Sequence, residues 1–565
     1  MIARIFDNHW MYLDQVTPEI EQSLDKWFSA RDPKSYYSSS DAWDGIYRKF
    51  NRAKHRLSLA YMSDLKEYSE SKNIPLDIED QRPAPEYPSP DPETITEDYL
   101  PSIKLEKYQV RALRSCCENE IGIIQSTTGS GKTELACGMV KLFSCPTVII
   151  TEQIVVLEQI IKRLKLRDVV KNDEIGMFCF GKMPTNELIM VGSIQSLSSP
   201  PTPEKKSIKI TANKIIKTIK KWIKDEDERL KKVFPSELAD ALNDGMKVSD
   251  IPKKFIEKMQ SYLIECEYSR LLKWYKSRKT KSKAIQQLVS KCDLLIVDEA
   301  DLAVSTQYSK LFKKYFSGRR KYGLTGTPFD PKKPVQNLIL RENVGNVIFK
   351  AEREEVEAAG RIVPISYYTI IVGADGDKND SRAYDIATDE EIISNVKFHN
   401  LVAKVISAYS EERNLILLGT SPIEPLGKSL EEIIPDSKFI FGKTPQKVRN
   451  KYIKQFEEDE LSCLIGSLIF KRGLDLHGGV DNLIIIGGGG KYSEFVQRIG
   501  RALRLNKKGK SRVISFLFLN NKYLYKHSRA NLKTVVELGY RSYVLHGDKV
   551  IDGEKFVKSR FRLPK

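Results

Sequence analysis

The stretch STTGSGKT at residues 126–133 decides how the rest of the chain is interpreted. It nearly fits the phosphate-binding pattern G-x-x-x-x-G-K-[ST]: Gly131, Lys132 and Thr133 match, but a serine stands where the first glycine is expected. Such a loop needs inward-pointing backbone amides, a lysine for the β- and γ-phosphates and a hydroxyl for magnesium. Serine is small enough for the first position. The alternative is a chance glycine-rich turn before a helix, so other segments must distinguish the two.

Length and composition indicate a protein of several folded domains without a membrane span. A chain of 565 residues with 41% hydrophobic content is too long for one core, so two to four folded domains are expected. The longest apolar runs, such as LLIV (294–297) and LIII (483–486), fall far short of the roughly 20 residues of a membrane span. The N-terminus, MIARIFDNHWMYLD, lacks a basic start followed by an apolar stretch, so no secretion signal is expected. We therefore expect a cytoplasmic protein with no membrane partner.

The cysteines and the net charge indicate the redox state of the thiols and the kind of partner. The eight cysteines include no C-x-x-C pair, which favours reduced structural thiols over a zinc site or a disulfide framework. The formal charge of +17 favours a polyanionic partner. A well-solvated basic surface is the alternative.

Short β-branched runs alternate with amphipathic helical segments from about residue 101, and polar residues follow each run. The first series comprises IGIIQ (121–125), TVIIT (147–151), ELIMVG (187–192), DLLIV (293–297) and KYGL (321–324). The second comprises NLILLG (414–419), KFIF (438–441), CLIG (463–466), NLIII (482–486) and VISFLFL (513–519). Uniformly apolar strands separated by helices indicate parallel sheets covered on both faces. The pattern predicts an α/β protein with two tandem doubly wound domains, whose ligands gather at the carboxyl ends of the strands.

An acidic pair ends the strand DLLIV. Asp298 would hold Mg²⁺ through water, with Thr133 as the hydroxyl ligand, and Glu299 would orient or deprotonate the attacking water. An acidic pair alone is usually a solvated strand end. Combined with the loop, it indicates a nucleotide hydrolase.

The order of the motifs resembles that of the superfamily 2 helicases and translocases. The motifs are STTGSGKT (126–133), DEAD (298–301), LTGTP (324–328), SLIFKRGLD (467–475) and QRIGRALR (497–504). The resemblance implies two RecA-like domains with ATP and Mg²⁺ between them. It implies a catalytic set of Lys132, Asp298, Glu299, Gln497, Arg501 and Arg504. The arginines could instead form a solvated helix face, but the Q-R-x-G-R-x-x-R spacing disfavours that, and their planar charge suits phosphoryl transfer.

The resemblance also implies which residues bind ATP and which couple its hydrolysis to movement. Gln109, at the end of LEKYQ (105–109), would read the adenine. The remaining ATP-binding residues would be Thr128, Gly129, Ser130, Gly131, Lys132, Thr133, Gly473 and Asp475. The coupling residues would be Asp301, Thr325 and Thr327.

Contacts to a nucleic-acid backbone follow from the same resemblance. They are expected from Thr151, Gln159, Gly192, Ser193, Gln195, Thr420 and Ser467. ATP that contacts both domains favours their closure, and hydrolysis removes the bond between them, so open–close cycles would become steps along a strand. Backbone contacts carry no sequence information, so the motor should be indifferent to sequence.

The kind of nucleic acid is argued from two features. RNA helicases share the letters DEAD, but their third motif is usually S-A-T and their sixth H-R-x-G-R-x-G-R, whereas TGTP and QRIGRALR resemble DNA-directed members. Residues 38–68 resemble the N-terminal module of UvsW-type branch-migration helicases of tailed phages, with Trp43, Asp44 and Gly45 matching a short turn that implies a DNA contact by Trp43.

These features predict an ATP-dependent DNA helicase or translocase acting on forked or recombination intermediates, in a bacterial host if phage-encoded. Recombination or replication proteins are further candidate partners. The alternatives are an RNA helicase and the motor subunit of a restriction or defence complex, which an attached nuclease or methyltransferase would mark.

The expected domains are an α+β nucleic-acid-binding module (1–82), a proline-rich linker that separates it from the core (83–100), two helicase domains (101–335 and 336–525) and a C-terminal tail (526–565). Residues 202–291 are an insertion between a backbone-gripping motif and the catalytic strand. They are helical by period, and the stretch 204–291 holds 23 Lys and Arg against 12 Asp and Glu, so it carries 11 of the 17 net positive charges. Its helices could be solvated faces over a small core, or a DNA clamp that uses Lys217, Lys221, Lys273 and Trp274.

Overall fold

Two parallel β-sheets follow one another along the chain, as the two series of apolar runs predict, and a smaller mixed sheet precedes them. The structure is a computed structural model that describes residues 1–33, 43–152, 154–179, 182–185, 187–198, 200–225, 227–373, 376–377, 379–419, 421–467, 476, 478–487 and 492–561.

The N-terminal module is built on a four-stranded sheet with the order β5-β2-β1-β6 and on a separate β3–β4 hairpin. Its strands are β1 (Ile2–Ile5), β2 (Trp10–Asp14), β3 (Ser29–Arg31), β4 (Ile46–Arg48), β5 (Arg56–Ser58) and β6 (Asp77–Asp80). Its helices are α1 (Pro18–Trp27) and α2 (Met62–Ser71). Helix α1 starts where it does because the Thr17 hydroxyl accepts a hydrogen bond from the Ile20 amide, and Pro18 fits the first helical position.

The first RecA-like domain has a seven-stranded parallel sheet with the order β13-β7-β12-β11-β8-β10-β9. Its strands are β7 (Ile121–Gln125), β8 (Thr147–Thr151), β9 (Ile175–Phe178), β10 (Ile189–Ser193), β11 (Leu294–Asp298), β12 (Arg320–Thr325) and β13 (Val347–Lys350). Its helices, including those of the insertion, are α3 (Lys107–Glu118), α4 (Lys132–Phe143), α5 (Ile154–Leu166), α6 (Ala212–Lys224), α7 (Arg229–Val233), α8 (Ser236–Asn243), α9 (Lys253–Val289), α10 (Thr306–Lys310) and α11 (Pro334–Val344).

The second RecA-like domain has an eight-stranded sheet with the order β16-β17-β15-β18-β19-β14-β20-β21, parallel except for the β20–β21 pair. Its strands are β14 (Ile365–Val372), β15 (Asn414–Leu418), β16 (Ser437–Ile440), β17 (Cys463–Gly466), β18 (Asn482–Ile486), β19 (Ser511–Phe518), β20 (Arg541–His546) and β21 (Lys549–Asp552). Its helices are α12 (Arg353–Ala358), α13 (Tyr384–Thr388), α14 (Val396–Ser407), α15 (Ile423–Ile433), α16 (Gln446–Glu457), α17 (Tyr492–Ile499), α18 (Lys522–Glu537) and α19 (Gly553–Lys558). The expected tandem doubly wound architecture is confirmed.

Three expected boundaries differ from the structure. The first sheet continues through β13 to Lys350, beyond residue 335. Strands β20 and β21 extend the second sheet, so residues 526–565 are not a separate tail. The last turns of α9 are not part of a separable insertion, because Ile285 and Val289 are buried in the core of the first domain. Helix α9 precedes β11 and packs on the first sheet with its last turns, while its earlier turns extend outward. No change in composition therefore marks the end of the insertion.

The N-terminal module lies directly against the first domain. The Tyr61 hydroxyl donates to the Leu338 carbonyl at 2.6 Å, and Lys49 pairs with the nearly buried Glu342 at 2.6 Å. The linker runs along the same domain, since Arg320 donates to the Tyr87 carbonyl at 2.5 Å. The expectation that residues 83–100 hold the module apart from the core is therefore wrong, because buried contacts outweigh the extended preference of the prolines.

Among the described residues, no helix combines the length and the apolar character needed to cross a bilayer.

Glu342→Ala should loosen the docked module, because Lys49 and Lys313, each within 2.7 Å of this carboxylate, would lose their partner. Both lysines are partly exposed, so we expect about 1–3 kcal/mol. Faster proteolytic cleavage within residues 83–93 would report it. Glu554→Ala, which removes an exposed helical pair with Lys558, is the matched control and should change nothing. Equal cleavage rates for the two variants would contradict the docking role.

Candidate active site

The candidate site forms where three neighbouring strands of the first sheet end. Strand β12 lies between β7 and β11, with Thr325 opposite Gln125 and Leu324 opposite Asp298. The carboxyl ends of parallel strands meet at one edge of a sheet. The loop after β7, the acidic residues after β11 and the threonines after β12 are thereby brought together.

The loop after β7 has the geometry of a phosphate cradle. Gly129 and Gly131 have φ of 90° and 82°, a region that side chains disfavour, and α4 begins at Lys132. Ser126 is not among the described residues with positive φ, so a glycine is not required there. Its hydroxyl instead donates to Ser130 Oγ at 2.5 Å. The serine in the first position therefore braces the loop.

The Lys132 ammonium lies across this loop and donates to the Ser126 carbonyl at 3.4 Å. The Thr127 hydroxyl is buried and has no hydrogen-bond partner among the described residues. An unsatisfied buried donor is costly unless a ligand completes it. A helix N-terminus, a lysine, the Thr133 hydroxyl and the Asp298 carboxylate together fit a nucleotide phosphate with Mg²⁺.

Two side chains from the start of α3 hold the loop from outside the cradle. The Tyr108 hydroxyl and Gln109 Nε2 both donate to the Ser130 carbonyl, at 2.7 and 3.1 Å. Gln109 Oε1 accepts from the Glu106 amide at 2.9 Å, so both ends of its amide are engaged within the protein. Adenine recognition by Gln109 stays a prediction. Sequence reasoning missed Tyr108, whose pKa burial raises to about 12.

The acidic residues form one interacting cluster. Burial and the neighbouring Glu299 carboxylate raise the pKa of Asp298 to about 6, and Lys132 acts in the opposite direction. Burial and the Glu299 charge likewise raise the pKa of Asp301 to about 7. Glu299 has a φ of 52°, which is rare for a residue with a side chain. A strained conformation at this position keeps its carboxylate beside the other two.

A hydrogen-bonded chain links the acidic cluster to the end of β12. The fully buried Thr325 donates its hydroxyl to Asp301 at 3.0 Å, and it accepts from the Thr327 amide at 3.2 Å. The Ser126 amide donates to the Thr325 carbonyl at 2.9 Å. Thr325 therefore links Asp301, Thr327 and the phosphate loop, and Asp301, Thr325 and Thr327 are the residues that the sequence proposes as coupling residues.

The second domain meets the phosphate loop directly. A Cβ on Gly500 would lie 3.0 Å from the Thr128 hydroxyl, and one on Gly129 would lie 3.0 Å from Ile362 Cγ2. Tyr108 packs in the core of the second domain with Ile362 and other side chains. The loop therefore lies in the cleft between the domains.

The Q-R-I-G-R-A-L-R segment lies at this contact. Gln497 is half-buried in α17, Arg501 is buried, and Arg504 follows one turn later. Arg498 instead donates to the Gly487 carbonyl at 3.3 Å, and burial lowers its pKa. The four basic and amide side chains do not share one solvated helix face, and the segment's glycine touches the loop.

Ion pairs also bridge the cleft at its rim. Arg361 pairs with Glu106 at 2.8 Å, and Arg111 pairs with Glu355 at 2.6 Å. These contacts are partly exposed, so each contributes little alone.

The residues expected to grip nucleic acid divide into two groups. Thr151 and Ser193 are paired across β8 and β10, beside the acidic strand β11. The Ser193 hydroxyl is buried 2.9 Å from the Ser196 hydroxyl, and a Cβ on Gly192 would lie 2.1 Å from Phe178. Packing therefore explains this glycine. Gln159 and Gln195 are exposed.

The other expected residues lie apart from this edge or outside the described residues. Ser467 is buried at the end of β17. Trp43 is half-exposed on the hairpin of the N-terminal module and contacts Tyr47 edge-on. Of the insertion residues expected to contact DNA, all four are exposed: Lys217, Lys221, Lys273 and Trp274. Thr420, Gly473 and Asp475 lie outside the described residues.

Two family models match the chain. Residues 102–330 match the family described as "Type III restriction enzyme, res subunit", and residues 404–506 match "Helicase conserved C-terminal domain". Together with the order of the motifs and the cleft between two RecA-like domains, these matches define the class of protein. The chain belongs to superfamily 2 of the helicases and translocases.

Individual relatives are distant. The chain is 24% identical over 284 residues to the DNA 3′–5′ translocase XPB2 of Sulfurisphaera tokodaii, a match that covers 43% of this chain and 62% of that protein. The chain thus spans less than two thirds of this curated relative. The crystal structure of UvsW from bacteriophage T4 is 14% identical, covering 96% of this chain and 99% of that one with a TM-score of 0.39. A DEAD box protein of Methanococcus jannaschii is 16% identical, covering 79% and 93%, with a TM-score of 0.38.

Lys132→Ala should abolish ATP hydrolysis, because the β- and γ-phosphates lose the lysine that lies across the loop. Nucleic-acid binding without ATP should survive. A steady-state phosphate-release assay and a binding titration measure the two effects. Loss of binding by a folded variant would give Lys132 a different role.

Arg504→Ala should spare nucleotide binding far more than turnover, since an arginine that faces a transferred phosphoryl group contributes about 10³–10⁵ to the rate. Turnover and the dissociation constant of a fluorescent ATP analogue separate the two quantities. Arg541→Ala, at an exposed position on β20, is the matched control. Turnover within a factor of two of wild type would remove Arg504 from the site.

Proposed function

We propose that this protein is an ATP-driven DNA helicase or translocase that moves without sequence preference and acts on forked or branched DNA. One observation carries the proposal. Gly500, within the arginine-bearing segment of the second domain, lies so near the phosphate loop that a Cβ on it would come within 3.0 Å of the Thr128 hydroxyl. Groups from both domains thus share one nucleotide site, which is the arrangement that converts hydrolysis into domain movement.

The chemistry divides between the two faces of the cleft. Lys132 and the amides of the loop hold the phosphates of ATP, and Glu299 accepts the proton of the attacking water. Arg501 and Arg504 stabilise the charge that develops on the transferred phosphoryl group. Thr133 and Asp298 would hold Mg²⁺, which would neutralise phosphate charge.

Hydrolysis is transmitted along the strand ends. The bond between Asp301 and Thr325 ties the acidic cluster to β12, and β11 pairs with β8, which pairs with β10. Thr151 and Ser193, at the ends of β8 and β10, are therefore neighbours of the hydrolytic groups. A nucleic-acid strand that is held both at this sheet edge and on the second domain would advance each time the cleft between the domains closes.

DNA is the favoured substrate for three reasons. The relative named above is described as a DNA translocase, TGTP and QRIGRALR resemble DNA-directed members, and the chain has a net charge of +17. The turn at Trp43–Gly45, which precedes the exposed hairpin strand β4, supports a branched substrate by its UvsW-type sequence.

The decisive experiment compares the stimulation of ATP hydrolysis by duplex DNA, forked DNA, a four-way junction and RNA of matched sequence. We expect the fork or junction to stimulate at least tenfold more than RNA, with Lys132→Ala as the blank. Single-turnover unwinding of the same substrates would then rank them. Equal or greater stimulation by RNA would replace DNA with RNA as the substrate.

The match of residues 102–330 to a restriction-enzyme subunit family favours a second candidate, a motor within a restriction complex. It predicts translocation on unbranched duplex with no preference for forks. Displacement of a triplex-forming strand from linear DNA, measured alongside fork unwinding, distinguishes the two candidates.

A further inference from the structure

Helix α9 is fixed to the segment that follows β10. Three of its side chains donate to consecutive backbone carbonyls there: Arg278 to Gln195 at 3.1 Å, Ser282 to Ser196 at 3.1 Å and Gln286 to Leu197 at 2.6 Å. Ile285 and Val289 continue the same helix into the core. The orientation of α9 is thus tied to the strand end that carries Ser193.

The same face of α9 changes character along its length. Trp274, Arg278, Lys281, Ser282 and Ile285 follow i, i+4, i+7, i+8 and i+11, which places them on one side of the helix. Ser282 and Ile285 are buried, whereas Trp274 is 54% exposed. The helix therefore leaves the domain surface between these two positions.

A groove of about 350 Å³ lies at this departure point, between α9 and the first domain. Its lining combines one large aromatic ring, three cations and small polar groups, among them Trp274, Lys182, Arg278, Lys281 and Ser196. The exposed Gln195 borders it through its carbonyl. The groove adjoins the edge proposed to hold a nucleic-acid strand.

We propose that this groove binds one unstacked nucleotide of single-stranded DNA, with its base on the Trp274 indole and its phosphates on Lys182, Arg278 and Lys281. Aromatic faces stack on any base, and basic grooves track the backbone, so such a site is indifferent to sequence. Bases in a duplex are already stacked and are not accessible to the indole. The site therefore engages a separated strand.

This inference rests on the proposed function and deepens it. The cations alone would fit a duplex or a strand equally, because phosphates are common to both. The Trp274 indole favours the single strand, because only an unstacked base can lie on it. The insertion then acts on the separated strand beside the first domain, not as a general basic surface.

The test measures dissociation constants of the full-length protein for an oligothymidylate and for an abasic strand of the same length. Trp274→Ala should weaken oligothymidylate binding about 5- to 150-fold, the worth of one base–aromatic stack. It should leave the affinity for the abasic strand unchanged, and Trp274→Phe should retain most of the oligothymidylate affinity. Because Trp274 is half-exposed, none of these changes disturbs a core.

Two controls lie on the same helix. Tyr268→Ala removes a comparable ring that does not line the groove, and Lys276→Gln removes a charge from the opposite side of α9. Both should leave the oligothymidylate affinity within a factor of two of wild type.

The outcomes separate the inference from the proposed function. If DNA stimulates wild-type hydrolysis but Trp274→Ala binds oligothymidylate normally, the groove assignment is wrong and the motor stands. An equal loss on the abasic strand also overturns the assignment, since the ring would then act by shaping the groove. If DNA neither binds the wild type nor stimulates it, both proposals fail.

Discussion

The shape of the loop at residues 126–131 depends on hydrogen-bond partners for its carbonyl groups. The Ser130 carbonyl accepts from Tyr108 and Gln109, and the Ser126 carbonyl accepts from Lys132. A polar backbone group buried without a partner costs as much as a lost hydrogen bond. The loop is thus stable in this shape before any nucleotide arrives, and the rest of the site is arranged around it.

Tyr108 connects this loop to the other half of the protein. Its hydroxyl holds the Ser130 carbonyl while its ring packs in the core of the second domain. Gly500 touches the loop tip from the same side. Closure of the cleft therefore depends on contacts to the loop itself and not only on the ion pairs at the rim, which water and salt weaken. A nucleotide that alters the loop would act directly on the relative position of the two domains.

The insertion is best understood as an elongated core helix that carries a small bundle. Helix α9 has 37 residues, or about 55 Å, and only its last turns are buried in the first domain. Its outer part packs with Ile219, Trp222 and other apolar side chains of α6–α8 into a separate small core. The same helix therefore joins the small bundle to the segment after β10.

The sequence by itself determined the two series of strands, the phosphate loop, the acidic pair and the arginine segment, because strand runs and short motifs are local patterns. It missed the edge strands β9 and β13, the C-terminal strands β20 and β21, and also β14, an eight-residue strand between β19 and β20. All of these except β14 are short and gain their stability from neighbours. Only the tertiary structure decided that Gln109 braces the loop, that Gly192 makes room for Phe178 and that the end of α9 belongs to the core. These outcomes depend on which buried groups meet across the fold, and no local pattern encodes such long-range packing.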